Sequence, residues 1–507
     1  MKTRKNQWLL IFIFPLLLFV SFTLSGCEKK NQEKILTLRI CNWEEYIDEG
    51  GWDKEETIDL ENKDIIGKNS MLDDFVAWYE KTAHKKIKIE YSSLGTNEDL
   101  YNQLTLGDKF DLVCPSEYMI MKLMAEEKLE PLSDDFLDES QEKNSYIRGV
   151  SPYIKEFTHN ISINNESIDR YAAGYMWGNT GIVYNPKEIT AEEASSWKLL
   201  TDTKYKCRIT MKDNVRDAYF AAMGIYKSDE LLELAMRPYL ESNSERAEQL
   251  FKEYPEKLRQ EMNDTSKETM AAIEQLLQSS RNNFYSFETD NGKSDMVTGK
   301  VLANLQWSGD AVYSLDQAEE VGTILEYSVP YECSNLWFDG WVMLKDGIEG
   351  NKEKKDACEA FLNFMAQPDN VVRNMQYVGY TSVIAGDNDS TIFDYANWCY
   401  GAEEDEEETV EYDVSSFFGR EDAIITTTPD QQLPKPSSSI LATIARTRRS
   451  FSTSPCGSRA SWLIFALTKS IAEPFLQAAT QAPQPMQLAE SIASSAFTFE
   501  IGRLLAS

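Results

Sequence analysis

Apolar and polar residues alternate over Leu36-Thr37-Leu38-Arg39-Ile40, which predicts a strand with one face turned into a core. The acidic, glycine-containing stretch from Asp48 to Lys68 reads as a surface loop. Asn69 or Ser70 then caps a helix whose inner stripe is Met71, Leu72, Phe75, Trp78 and Tyr79. Ile87, Ile89 and Tyr91 alternate as a second strand, and a helix carrying Leu100, Leu104 and Leu106 starts near Asn97. Phe110 to Pro115 reads as a buried apolar strand. Alternation of strand and helix implies an α/β fold with a parallel sheet covered by helices. Cys207 to Thr210, Gly181 to Tyr184 and Val301 to Trp307 supply further strands. Ser228 to Ser280 is charged and rich in Glu, Lys and Leu, with stripes such as Leu231, Leu234 and Met236, so it reads as a helical elaboration at the surface.

At 507 residues the chain is long enough for about two to four compact units. Lys2, Arg4 and Lys5 precede an apolar run from Trp8 to Leu24 that Pro15 interrupts, the pattern of an export signal rather than a lasting membrane span. The run ends in Leu24-Ser25-Gly26-Cys27, which resembles a bacterial lipobox. That resemblance implies a signal peptide over 1–26, acylation of Cys27, a polar tether over 27–35 and an extracytoplasmic, membrane-anchored location. The net charge of −32 excludes nucleic acid as a partner, since phosphate binding needs a basic face; it suits either attraction of cations or a solubilising surface. The acidic run Glu403 to Glu408 reads as a solvated loop. Residues 433–507 have a different character, with seven basic and three acidic residues, many Ser, Ala and Pro, and the cluster Arg446-Thr447-Arg448-Arg449; this segment reads as a disordered tail or a shifted reading frame. No two cysteines are spaced C-x-x-C, and most fall within apparent strands or helices, so few or no disulfides and no zinc site are expected.

Catalytic chemistry is sparsely supplied. His84 and His159 are the only histidines, H-E-x-x-H is absent, and Gly67-Lys68 lacks the earlier glycine of a phosphate loop because Asn62 stands there. The abundance of acids leaves a glycosidase-type carboxylate pair open. No enzyme activity and no cofactor are expected. What recurs instead is an aromatic residue beside a carboxylate where a strand ends. Trp43, Glu44, Glu45 and Tyr46 follow the first strand. Ser116, Glu117 and Tyr118 follow Pro115. Asn214 and Asp217 follow Met211-Lys212-Asp213. Trp307 and Asp310, Trp337 and Asp339, and Tyr380 complete the set. In open parallel sheets, ligands bind outside the carboxyl ends of strands. Aromatic faces cover methylenes and attract ammonium groups, and carboxylates accept charge-assisted hydrogen bonds from them. A cleft of this composition suits an organic polycation.

The segments Asn42-Trp43-Glu44-Glu45-Tyr46-Ile47, Phe110 to Tyr118, Tyr175 to Gly181, Trp307-Ser308-Gly309-Asp310-Ala311, Ser334 to Asp339 and Tyr377-Val378-Gly379-Tyr380-Thr381 together resemble the spermidine/putrescine-binding proteins of polyamine ABC importers. The resemblance covers roughly Leu36 to Gln432. It implies a two-lobed, type II periplasmic-binding-protein-like fold with a hinged cleft. Lobe 1 would comprise 36–170 plus 340–385, and lobe 2 would comprise 171–339 plus 386–432, with the elaboration at 228–280. The chain would cross between lobes near Tyr171 to Trp177 and near Asp339 to Trp341. By position in the motifs, Trp43, Tyr46, Trp307, Trp337 and Tyr380 would form an aromatic box, and Ser116 and Tyr118 would line the same wall. Glu45, Asp217 and Asp339 would pair with amines, with Asp339 the principal anchor and Asp310 a further contact. Asn214 stands where an acid is common and Glu44 where a small hydroxyl residue is common, which leaves two-amine and three-amine ligands both open. The family usually ends in a helix, whereas here the resemblance stops near Gln432. The implied partners are a polyamine and ABC permease subunits, for a monomer. An amino acid or sugar carrier and a polyamine-sensing lipoprotein are the alternatives; iron is disfavoured by the lack of a Tyr-Tyr or His cluster in these loops.

Overall fold

A computed structural model describes residues 35–427 apart from 55, 387–388 and 403–408. The expected signal peptide, Cys27 and its tether as far as residue 34, the acidic run 403–408, Cys456 and the tail 433–507 lie outside the described residues.

The central sheet runs in the order Ser286–Glu288, Ile209–Lys212, Ala303–Trp307, Ala172–Tyr184, Leu336–Leu344, Leu112–Val113, Leu36–Trp43 and Ile87–Leu94. Its two ends are parallel trios. Leu36–Trp43 pairs in parallel with both Ile87–Leu94 and Leu112–Val113, and Ile209–Lys212 does the same with Ser286–Glu288 and Ala303–Trp307. The middle is antiparallel. Residues 172–179 of the 13-residue strand Ala172–Tyr184 pair with Leu336–Leu344, and residues 180–184 pair with Ala303–Trp307. One strand thus passes from one parallel unit to the other, and every one of its residues is buried. Near-continuous burial is what a strand covered on both faces requires.

Two principal cores follow from this division. Leu38, Ile40, Phe75, Leu112, Tyr175, Trp341 and Phe361 belong to the first, and Ile182, Trp197, Ile209, Ala221, Leu231 and Leu305 to the second. The molecule is two-lobed, and the lobes meet at the crossing strands. The sheet pairing changes hands between Asn179 and Thr180, and the return strand begins at Leu336. The described part of 386–432 packs into the first core through Ile392, Tyr395, Cys399, Phe417 and Phe418, with Phe417 stacked on Trp177 at 6.1 Å. This segment, expected in lobe 2, meets the first core across the crossing strand.

Local expectations hold where a cap and a period agree. The helix Met71–Ala83 starts at Ser70, whose side chain accepts a hydrogen bond from Asp73 N, and it buries Met71, Phe75 and Tyr79. The elaboration is three helices, Ser228–Leu240, Ser244–Met262 and Lys267–Ser280. The segment 110–115 is buried beyond Phe110 but is assigned as a strand only at Leu112–Val113. The larger departure is 48–68. Rather than a surface loop, it holds the hairpin Ile58–Leu60 and Lys63–Ile65, with Ile58, Leu60 and Ile65 buried. Asp48 is buried too: its carboxylate accepts from Arg373 Nε at 2.8 Å and from Trp52 Nε1 at 2.9 Å. Arg373 also bonds Asp74 and the Asn69 carbonyl, so one guanidinium ties the hairpin segment to two helices. Among the described residues no helix is long and apolar enough to cross a membrane, and the six described cysteines carry free thiols, of which only Cys207 is exposed.

Removing one partner of a buried ion pair leaves the other charge uncompensated. Arg373→Ala is therefore expected to lower unfolding free energy by about 3–5 kcal/mol in urea titration followed by tryptophan fluorescence; a loss below about 1 kcal/mol would rule out this role for the pair.

Candidate functional site

A cleft of about 590 Å³ lies between the lobes, where the parallel strands end. All fourteen expected residues, Trp43, Glu44, Glu45, Tyr46, Ser116, Glu117, Tyr118, Asn214, Asp217, Trp307, Asp310, Trp337, Asp339 and Tyr380, line it. Local structure explains the convergence. Four helices begin at its walls: Asn97–Leu106, Glu117–Ala125, Val215–Tyr226 and Ser308–Glu320. Their first turns carry Glu98, Glu117, Asp217 and Asp310, acids that complement the positive end of each helix dipole. Asp339 differs. It sits on the strand Leu336–Leu344 rather than in the first turn of a helix.

Three of the aromatic residues, Tyr46, Tyr380 and Trp337, form one connected wall. Tyr380 meets Tyr46 edge-on at 5.6 Å and Trp337 at 5.2 Å. The favoured geometry of such pairs is edge-to-face or offset. Two glycines make room for them: a Cβ at Gly309 would lie 2.3 Å from the Tyr380 ring, and one at Gly178 would lie 2.8 Å from Trp337. Trp307 Nε1 donates to Asp217 Oδ2 at 2.8 Å, and the ammonium of the buried Lys212 lies 4.2 Å from the Trp307 ring centroid. One face of Trp307 is thereby already taken by a cation of the protein itself. The indole N–H groups of Trp43 and Trp337 are buried without a hydrogen-bond partner.

The carboxylates differ in how far the protein satisfies them. Asp217 accepts from Trp307 and from Asn214 Nδ2 at 2.7 Å, while Asn214 Oδ1 caps the helix by accepting from Asp217 N. Asn214 is thus engaged in helix capping, which its type favours. Tyr118 Oη donates to Glu98 at 3.1 Å, and the Arg216 guanidinium stacks on the Tyr118 ring at 3.8 Å. Tyr380 Oη donates to Asp310 at 3.1 Å. Glu44 and Glu45 are exposed, and Glu45 holds a left-handed backbone conformation with φ 51°. Asp339 is 5% exposed; Tyr46 Oη donates to its Oδ2 at 2.8 Å, and its Oδ1 has no hydrogen-bond partner. Burial pushes the Asp339 carboxyl up to about 7, against the Ser116 and Tyr46 hydroxyls, which favour its ionised form. Burial also raises Glu117 to about 7; Arg216 opposes that rise and Asp339 adds to it. No cluster of metal-binding side chains occurs among the described residues.

Several lining residues escaped the sequence reading. Glu98 follows the strand Ile87–Leu94, and Lys293 opens the helix that follows Ser286–Glu288, so the same strand-end rule locates both. Neither loop carries the aromatic neighbour that drew attention elsewhere. Arg216 stands between Asn214 and Asp217, but its charge opposes a cationic ligand. Arg259 comes from the helical elaboration, which therefore reaches the cleft rather than only the surface.

The sequence profile described as bacterial extracellular solute-binding protein matches residues 74–393. A spermidine/putrescine-binding periplasmic protein of Salmonella typhimurium is 25% identical over 68% of this chain and 76% of its own length. The putrescine-binding periplasmic protein PotF of Escherichia coli is 24% identical over 75% of this chain and 85% of its own. A solved spermidine/putrescine ABC transporter substrate-binding protein of Streptococcus pneumoniae aligns with a TM-score of 0.46 at 22% identity, over 71% of this chain and 89% of that one.

A carboxyl raised by folding favours the folded state below its unfolded pKa, and that contribution is lost as pH rises through the folded value. For Asp339 the window runs from about pH 4 to about pH 7. Asp339→Asn removes the loss, so its melting temperature relative to the natural chain is expected to climb by a few degrees from about pH 5 to about pH 8 in calorimetry of the ligand-free protein. A difference that does not change with pH would show that Asp339 ionises as freely as in an unfolded chain.

Proposed function

The chain belongs to the bacterial extracellular solute-binding proteins, and from that premise we propose that it captures a polyamine, putrescine or spermidine, and delivers it to an ABC importer. The carrying observation is the buried Asp339 carboxylate, whose Oδ1 has no protein partner beside an aromatic wall. An ammonium group placed there supplies the missing donor and the missing charge at once. The alkyl chain then lies against Trp337, Trp43 and Tyr380, where flat apolar surface and ring quadrupoles suit methylenes and ammonium alike. The names of the relatives point to the same ligand class.

The mechanism is binding without turnover. The lobes close over the ligand by bending where the long strand changes partner, at Asn179–Thr180, and where the return strand begins, at Leu336, and the closed form docks on permease subunits. The acidic surface raises the rate of cation capture and makes it salt-sensitive. Acylation at Cys27 holds the protein, as a monomer, at the outer face of the membrane.

Calorimetric titration of protein beginning at Cys27 is expected to show micromolar or tighter binding of putrescine or spermidine; no heat with either would sink the assignment. Asp339→Ala is expected to weaken that binding at least about tenfold. Because the cation favours ionised Asp339, affinity should rise roughly tenfold between about pH 6 and about pH 8, with proton release on binding below about pH 7. Titrations in buffers of different ionisation enthalpy measure that release, and its absence would remove Asp339 as the anchor.

A further inference from the structure

The cleft contains a cation of its own. Lys293, on the helix Asn291–Val297, places its ammonium 3.8 Å from Glu45 Oε2 and 3.9 Å from Asp310 Oδ1, with its side chain 18% exposed. The ammonium also lies 5.4 Å from the Tyr313 ring centroid. Burial lowers its pKa, but the fields of Asp310, Asp290 and Glu45 more than offset this, so the group stays charged. A carboxylate pair, an adjacent aromatic ring and an ammonium between them reproduce within the protein the chemistry of a polyamine subsite.

Two acidic groupings face the cavity. Asp339 with Glu117 holds a bare carboxylate oxygen. Glu45 with Asp310 is already joined by Lys293. The two are linked through contacts, since Tyr46 bonds Asp339 and packs on Tyr380, and Tyr380 bonds Asp310. At about 590 Å³ the cavity admits a short or a long amine, so charge rather than length must distinguish them.

Resting on the polyamine reading, we propose that Lys293 is a resident counter-cation that fills the amine position between Glu45 and Asp310 and so matches the cleft to a diamine rather than a triamine. A third ligand ammonium entering that end meets the lysine charge, and one of the two must leave its carboxylates. The residue is a specificity device, and its removal turns a filled subsite into an open one.

The test is titration of putrescine and spermidine into the natural protein, Lys293→Met and Lys293→Arg, with melting curves to establish folding. Putrescine is expected to be preferred by the natural protein. Lys293→Met removes the charge at similar volume and is expected to shift the affinity ratio toward spermidine at least about tenfold, the scale of a desolvated charge pair. Lys293→Arg, which retains the charge, should keep the natural ratio. Binding of both amines with the same ratio in Lys293→Met as in the natural protein overturns this inference and leaves the polyamine reading standing. Binding of neither amine by any of the three forms overturns both.

Discussion

A carboxylate with one satisfied oxygen and one bare oxygen, held out of water, is the constraint around which this cleft is arranged. Asp339 is held in its strand and by the hydroxyl of Tyr46, and it is buried. Its charge is costly in that position, and the cost appears as a carboxyl pushed up to about 7. Such a group stores a preference for a cation. The same burial that penalises the empty protein sharpens the gain when an ammonium arrives, because the interaction is made in a medium that screens it weakly.

The other acids show how a strongly negative cleft is kept from destabilising its own walls. Glu98, Glu117, Asp217 and Asp310 stand in the first turns of helices, where exposed backbone N–H groups offset their charge. Most of them are held further by a neighbour, Asp217 by Trp307 and Asn214, Glu98 by Tyr118, and Asp310 by Tyr380 and Lys293. Protein cations are used in the same way, Lys212 against Trp307 and Arg216 against Tyr118. The result is a surface that is acidic in total but has few groups awaiting a partner.

Communication between the lobes rests on two strands rather than a flexible linker. The pairing of Ala172–Tyr184 changes from one unit to the other within a single residue step, while every side chain along it stays buried. Ile392, Tyr395, Cys399, Phe417 and Phe418 pack onto the first core, with Phe417 stacked on Trp177 of the crossing strand.

The order of strands and helices was legible because period and capping are local. Ser70, the alternation from Leu36 to Ile40 and the apolar stripe at Met71, Phe75 and Tyr79 each report on neighbours a few residues away. The rule that ligands gather at strand ends carried the reading to Trp43, Trp307 and Asp339. The hairpin at 58–65 was not legible, because it packs on the helices Pro368–Val378 and Thr391–Tyr400, about three hundred residues further along the chain. The same limit governed the charges. Sequence established that acids and rings were present in matching loops, and it could not tell which acids the protein had already satisfied. That was decided by through-space pairings such as Tyr46 with Asp339 and Trp307 with Asp217, 293 and 90 residues apart. Hydrogen bonding and desolvation act over a few ångströms of space, and only the folded chain determines which residues lie within that range.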